Sequence, residues 1–177
     1  MTPEETTKNK ELTDLLRRPF PAKDVQFMPM QMGDKNGKPW MKVLAYLDSR
    51  ALENFLDVTF GVMGWSDDYT VYPQGIICKL SVLYDGVWVS KSNGAPETDI
   101  EAFKGGCSSA RKRVCSSGFG IGRYLYYLPK AMFAECSYEK VQGWEYAKDK
   151  KINKAIYWNP VVKMPAWAYP QPEKAVV

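Results

Sequence analysis

The chain has 177 residues, 45% of them apolar and 25% charged, which suits one soluble domain able to bury a real core. No run approaches the roughly 18 apolar residues of a membrane-spanning helix. The polar start MTPEETTKNKEL does not read as a secretory signal, so a cytoplasmic protein without membrane association is expected. There is no histidine, and Cys78, Cys107, Cys115 and Cys136 form no CxxC pair, so no metal site, Ser-His-Asp triad or Cys-His nucleophile is expected.

Residues 1–11 read as a frayed N-terminus, and ELTDLLRRPF as a short helix stopped by Pro19 and Pro21. Residues 25–47 read as a β-hairpin with the turn GDKNGKP. In its second strand Met41, Val43, Ala45 and Leu47 alternate with Trp40, Lys42, Leu44 and Tyr46. DSRALENFLDVTFG then forms a helix, with Asp48 or Ser49 as its cap and Gly61 as its stop. Leu52, Phe55, Leu56, Thr59 and Phe60 make its apolar stripe. A second hairpin follows, IICKLSVLY and VWVSKS joined by Asp85-Gly86, the strongest two-residue hairpin signal. That turn sets Val82 against Val89 and Leu80 against Lys91.

A long helix is expected from about Thr98 to Ser117. At about 100° per residue, Ile100, Phe103, Cys107, Ala110 and Val114 share one face. Lys112 points away from that face, Arg113 to one flank, and Arg111 and Lys104 to the other. Gly105-Gly106 cost the helix about 1 kcal/mol each relative to alanine, which suits either close backbone approach or a later helix start. The tail KAIYWNPVVKMPAWAYPQP, with its prolines, reads as neither a regular helix nor a central strand but as an extended arm. The expected organisation is one α+β domain: a frayed end (1–11), a core (12–143) and an aromatic, proline-rich arm (144–177).

Between Ala102 and Ala134 the chain carries Lys104, Arg111, Lys112, Arg113, Arg123 and Lys130 and no acid at all. A block of one sign inside a folded chain with a net charge of only +4 points to a surface for a polyanion. A glycine run, GFGIG, lies in this block. A dinucleotide site needs GxGxxG after a strand and before a helix; here the spacing is GxGxG after a helix, and no GxxxxGK[ST] occurs. The glycines are instead expected to end the helix and turn the chain so that Arg123 returns towards Arg111–Arg113. Arg50, in the first turn of its helix, opposes the helix dipole, an arrangement easier to understand if an anion shares the site. The acids are scattered, with no paired carboxylates, so neither catalysis nor a cofactor is expected.

Three stretches in this order, DSRALENFLDVTFGVMGW, ICKLSVLYDGVWVSKSNGA and SSARKRVCSSGFGIGRYLYYLP, resemble the single-strand annealing proteins of the phage Sak group. These are relatives of the ring-forming annealing mediator of eukaryotic double-strand-break repair. The tail YWNPVVKMPAWAYP is similar to the closing segment of the phage members, and the resemblance spans about residues 12–170. It implies a β-β-β-α core with antiparallel hairpins packed on the basic helix, assembled into multi-subunit rings or helical arcs. It also implies a groove that holds single-stranded DNA by its backbone. By the resemblance, Arg50 and the pair Lys112-Arg113 contact that backbone, and Arg123 corresponds to the arginine of the family's GIGRYLY. Phe55 stands where phage members often carry a second arginine, and an extra residue lies between Lys112-Arg113 and FGIG. Lys104 and Arg111 complete the expected DNA-binding set, and Lys79 and Lys91 are candidates for a second basic strip.

The expected activity is annealing of complementary strands without ATP, with other copies of the chain and a single-strand-binding protein as protein partners. A passive coating protein is the alternative; it would stack bases on aromatics such as Tyr46, Tyr84 and Trp88. A small nucleotide-dependent enzyme is disfavoured by the glycine spacing and by the lack of paired acids.

Overall fold

A computed structural model describes residues 2–96, 102–149 and 153–171. The elements run α1 (Pro3–Arg17), β1 (Val25–Lys35), β2 (Lys38–Leu47), α2 (Ser49–Phe60), β3 (Trp65–Tyr72), β4 (Gly75–Tyr84) and β5 (Val87–Ala95). There follow α3 (Ala102–Arg113), a π-helical turn (Val114–Phe119), a 3-10 turn (Arg123–Tyr127), β6 (Met132–Ala134), β7 (Cys136–Ser137), β8 (Glu145–Asp149) and β9 (Lys154–Trp158). The chain divides into two compact units: Met1–Pro19 with Leu47–Tyr124, and Phe20–Tyr46 with Leu125–Val177. No helix among the described residues is long and apolar enough to cross a membrane.

The first unit holds an antiparallel sheet in the order β3-β4-β5, followed in sequence by α3, so the β-β-β-α order is present. Asp85 and Gly86 both take positive φ (51° and 76°), the backbone of a type I′ turn. Val82 pairs with Val89 and Leu80 with Lys91, the register expected from that turn. Ile76, Cys78, Leu80 and Val82 fill the inner face of β4; α3, with Gly106 and Ala110 buried, packs over β4 and β5, and the π turn continues that packing with Val114 buried.

β3 has no counterpart among the expected elements. Trp65, Asp67, Tyr69 and Val71 alternate with Ser66, Asp68, Thr70 and Tyr72, so an acid interrupts each face and hides the apolar period. The α3 expectation needs correction in three respects. Residues 98–101 lie outside the described residues. Regular α-helix stops at Arg113, and the chain continues as the wider π turn through Phe119. Phe103, assigned to the apolar stripe, is 59% exposed.

α2 forms as its sequence dictates. Asp48 Oδ1 accepts from the Ala51 amide at 2.7 Å, Leu52 and Leu56 are buried, and the Gly61 amide donates to the Asp57 carbonyl. The FG..GW stretch then ties this helix to the sheet. The Trp65 indole donates to Asp57 Oδ1 at 2.7 Å, and the Leu83 amide to the Gly64 carbonyl at 2.8 Å. A Cβ on Gly64 would stand 1.9 Å from the Phe60 carbonyl oxygen, so a side chain has no room there.

α1 begins at Pro3, well before the expected start, and residues 3–11 form its first turns instead of a frayed end. Thr2 and Glu5 make a capping box: the Glu5 amide donates to Thr2 Oγ1 at 3.2 Å, and the Thr2 amide to Glu5 Oε2 at 2.6 Å.

The second unit contains two sheets, β1-β2-β6 and β7-β9-β8. The β1–β2 hairpin is tighter than expected, turning on Asn36-Gly37 alone at φ 55° and 78°. On β2, Met41, Val43, Ala45 and Leu47 are buried as their alternation predicts. The tail differs from expectation: Lys154–Trp158 is the central strand of its sheet, with Ile156 opposite Ala147 and Trp158 opposite both Cys136 and Glu145. Proline does not prevent this, because the strand ends before Asn159-Pro160 and the ladder keeps every N–H. Beyond Pro160 the described chain is irregular except for a 3-10 turn at Ala166–Ala168.

Candidate nucleic-acid interface

The first unit gathers most of the expected site residues. Arg50 lies exposed in the first turn of α2. Lys112, in the last turn of α3, is half-buried. Desolvation pushes its ammonium below the ordinary lysine value, while the Asp48 carboxylate opposes that shift. The Lys112 charge therefore lies within electrostatic reach of the residue that caps α2, two positions before Arg50. Arg113 points elsewhere: it is exposed, and Nη1 donates to the Gly94 carbonyl at 3.2 Å, near the end of β5. The Lys-Arg pair thus straddles α3, one cation towards the start of α2 and one towards β5. Lys104 is exposed in the first turn of α3.

Arg111 has a different environment. Its Nε donates to Asp67 Oδ2 at 2.7 Å and to the Tyr69 hydroxyl at 2.9 Å, and its Nη1 is paired with Glu53 Oε1. Tyr69 donates in turn to Asp67 at 2.7 Å. Burial first, then the hydrogen bond to Asp67, drives the Tyr69 pKa far above its ordinary value. The Arg111 side chain is only 16% exposed, so two carboxylates answer its charge inside the protein. This ties α2, β3 and α3 together. Glu53, Asp67 and Tyr69 were not singled out in the sequence, because each finds Arg111 across more than forty residues and no local pattern marks the pairing.

The glycine run reverses the chain as expected. Gly120 and Gly122 take φ 87° and 70°, and the Ile121 amide donates to the Cys115 carbonyl at 3.0 Å. The late carbonyls of the π turn are met by cations, the Ser116 carbonyl in addition to the Gly120 amide at 3.2 Å. Arg123 Nε donates to the Ser116 carbonyl and Nη2 to the Ser117 carbonyl, both at 2.7 Å. Lys91 Nζ donates to the Gly118 carbonyl at 2.7 Å and lies 5.3 Å from the centre of the Phe119 ring. Arg123 therefore returns to the end of the π turn, not to Arg111. The β4–β5 register sets Lys91 opposite Leu80 on the inner face and Lys79 opposite Ser92 on the outer face. The two lysines do not form one strip.

Such an arrangement offers donors and positive charge to an extended anion. Among the described residues no group of histidine, cysteine and acid side chains could hold a metal ion.

Comparison with known proteins agrees with this chemistry. Residues 8–145 match the model of the Rad52/22 family of double-strand break repair proteins. The chain is 32% identical over 172 residues to the single-stranded DNA-binding protein DdrA of Deinococcus deserti, covering 93% of this chain and 75% of that protein. It is 35% identical over 127 residues to DdrA of Deinococcus radiodurans, covering 68% of this chain and 58% of that one. A family match over most of the chain, on a fold of β-β-β-α order, places this protein in the Rad52/22 double-strand break repair family.

Proposed function

We propose that this protein binds single-stranded DNA by its phosphates and promotes pairing of complementary strands without nucleotide. The observation that carries the reading is the placement of cations around α3. Lys112 lies within electrostatic reach of Asp48, the cap of the helix whose first turn carries Arg50, while Arg113 lies towards β5 and Arg123 on the π turn. Phosphate contacts by lysine and arginine are independent of sequence, and a strand held by its backbone keeps its base edges free for a complement. Strand pairing supplies the free energy, so neither bond chemistry nor a cofactor is needed.

Family membership and the DdrA relatives named for single-stranded DNA binding support this assignment. The GIGRYLY segment and the closing YWNPVVKMPAWAYP favour the phage Sak subgroup within the family. The working form is a multi-subunit ring or helical arc in the cytoplasm of a bacterial cell, acting on DNA that a single-strand-binding protein has already coated.

The contact set is Arg50, Lys112, Arg113 and Arg123, with Lys104 at the margin. Arg111 serves as the internal tie. Lys79, on the outer face opposite Asp68 and Ser92, is the candidate for a second DNA strip, and Lys91 braces the π turn.

A passive coating protein is the second reading. The name of the DdrA relatives and Trp88, 51% exposed on the outer face of the sheet, favour it. Fluorescence anisotropy of a labelled oligothymidine, titrated with protein across a salt series with and without ATP, tests the binding itself. The assignment predicts nucleotide-independent binding that weakens steeply with salt, by roughly 0.7 in log-log slope per phosphate contact. No binding at low salt, or binding that requires ATP, contradicts it.

A further inference from the structure

Where the chain turns over Gly120, a second arginine meets Arg123. A Cβ on Gly120 would lie 3.2 Å from Arg17 Cγ, 3.6 Å from Arg17 Nε and 3.9 Å from Arg123 Cζ. Two guanidinium groups therefore flank a single glycine. Arg17 is the last residue of α1 and is exposed. The dipole of α1 favours one cation at this end, and the π-turn carbonyls of Ser116 and Ser117 hold a second beside it.

The state of Arg123 matters most. Its Nε and one Nη are fixed on the Ser116 and Ser117 carbonyls. Those acceptors are neutral: they set the plane of the guanidinium without answering its charge, and three of its five N–H groups stay available. No carboxylate is paired with Arg17 or Arg123 among the described residues. Arg111, by contrast, has two. Like charges held side by side repel one another, and an oxyanion placed between them turns that repulsion into attraction.

We propose that Arg17 and Arg123, flanking Gly120, form a phosphate site that takes one phosphodiester of single-stranded nucleic acid and carries the strand's path onto the end of α1. This rests on the binding assignment above and adds Arg17 to it. Gly120 suits the site: its φ of 87° strains any side chain, and a Cβ there would crowd Arg17 Cγ at 3.2 Å.

The test measures oligothymidine binding by the full chain across a potassium chloride series, comparing wild type with Arg17→Ala and Arg17→Lys. Arg17 is exposed and alanine favours helix, so α1 persists in both variants, which a thermal melt checks. The expected result for Arg17→Ala is a roughly three- to ten-fold loss of affinity at low salt and a log-log slope shallower by about 0.7. Lysine restores the slope, because it keeps the charge. A merely structural role for Arg17 would not move the slope. If wild type binds with a steep salt dependence and Arg17→Ala matches it in affinity and slope, the two-arginine site is wrong while the binding assignment stands. If wild type does not bind the oligonucleotide at all, both fall. A parallel melt with inorganic phosphate separates the sources. Stabilisation of wild type but not Arg17→Ala by phosphate, with oligonucleotide binding unchanged, assigns the site to a free anion and overturns the DNA role.

Discussion

Arg111 Nε and Asp67 Oδ2 lie 2.7 Å apart, joining residues 44 positions apart in the chain. The pair reconciles two features that look unfavourable alone: an acid on the inner face of β3, and an arginine on α3 whose side chain is largely withdrawn from solvent. With Glu53 as the third member, it ties α2, which carries Arg50, to α3, which carries Lys112.

Arg111→Ala leaves the Asp67 and Glu53 carboxylates without their cation, one mostly buried and one partly exposed. The expected loss is about 1–3 kcal/mol, with the Glu53 share reduced by solvent screening. Urea denaturation reads this directly. If Arg111 were instead a DNA contact, the substitution would weaken oligonucleotide binding and leave the denaturation midpoint unchanged.

Two thiols give the protein an alkaline limit. Burial, the largest cause for each, pushes Cys78 and Cys115 up to about 12, from an ordinary value of 9.0. A raised folded-state pKa means that the unfolded chain releases its proton first. The stability these thiols contribute is complete below pH 9 and is lost as pH rises towards 12. Melting temperatures measured from pH 7 upward are expected to hold and then fall, and Cys115→Ala to flatten the fall. A melting temperature that rises through this window would contradict the account.

Gly122→Ala tests the reversal after the π turn. Gly122 takes φ 70°, and a Cβ there would come 2.6 Å from Leu47 Cδ1. The expected cost is about 1 kcal/mol or more from backbone strain alone, a drop of several degrees in melting temperature. An unchanged melt would mean that the chain does not turn on this residue.

Local signals in the sequence account for much of this fold. Asp85-Gly86 sets the β4–β5 register to the residue, and Asp48 with the Leu52 and Leu56 stripe defines α2. The first turns of α1 carry no apolar stripe to mark them, although Thr2, Pro3 and Glu5 hold a complete start signal. β3 was hidden by Asp67, whose burial makes sense only with Arg111 in view. Prolines after Trp158 obscured a central strand that ends before they begin. The cations of the site were legible as types and as a cluster. Which of them face outward was not, because that depends on carboxylates brought in from β3 and α2.

The central claim is that this protein pairs strands and does not merely cover them. The most direct measurement is annealing of two complementary labelled oligonucleotides, each pre-coated with a bacterial single-strand-binding protein, in the absence of nucleotide. Wild type is compared with the double variant Lys112→Ala/Arg113→Ala. The account predicts fast annealing by wild type, lost in a double variant that melts like wild type. Tight binding by wild type that slows annealing would contradict the account and leave a protein that only coats DNA.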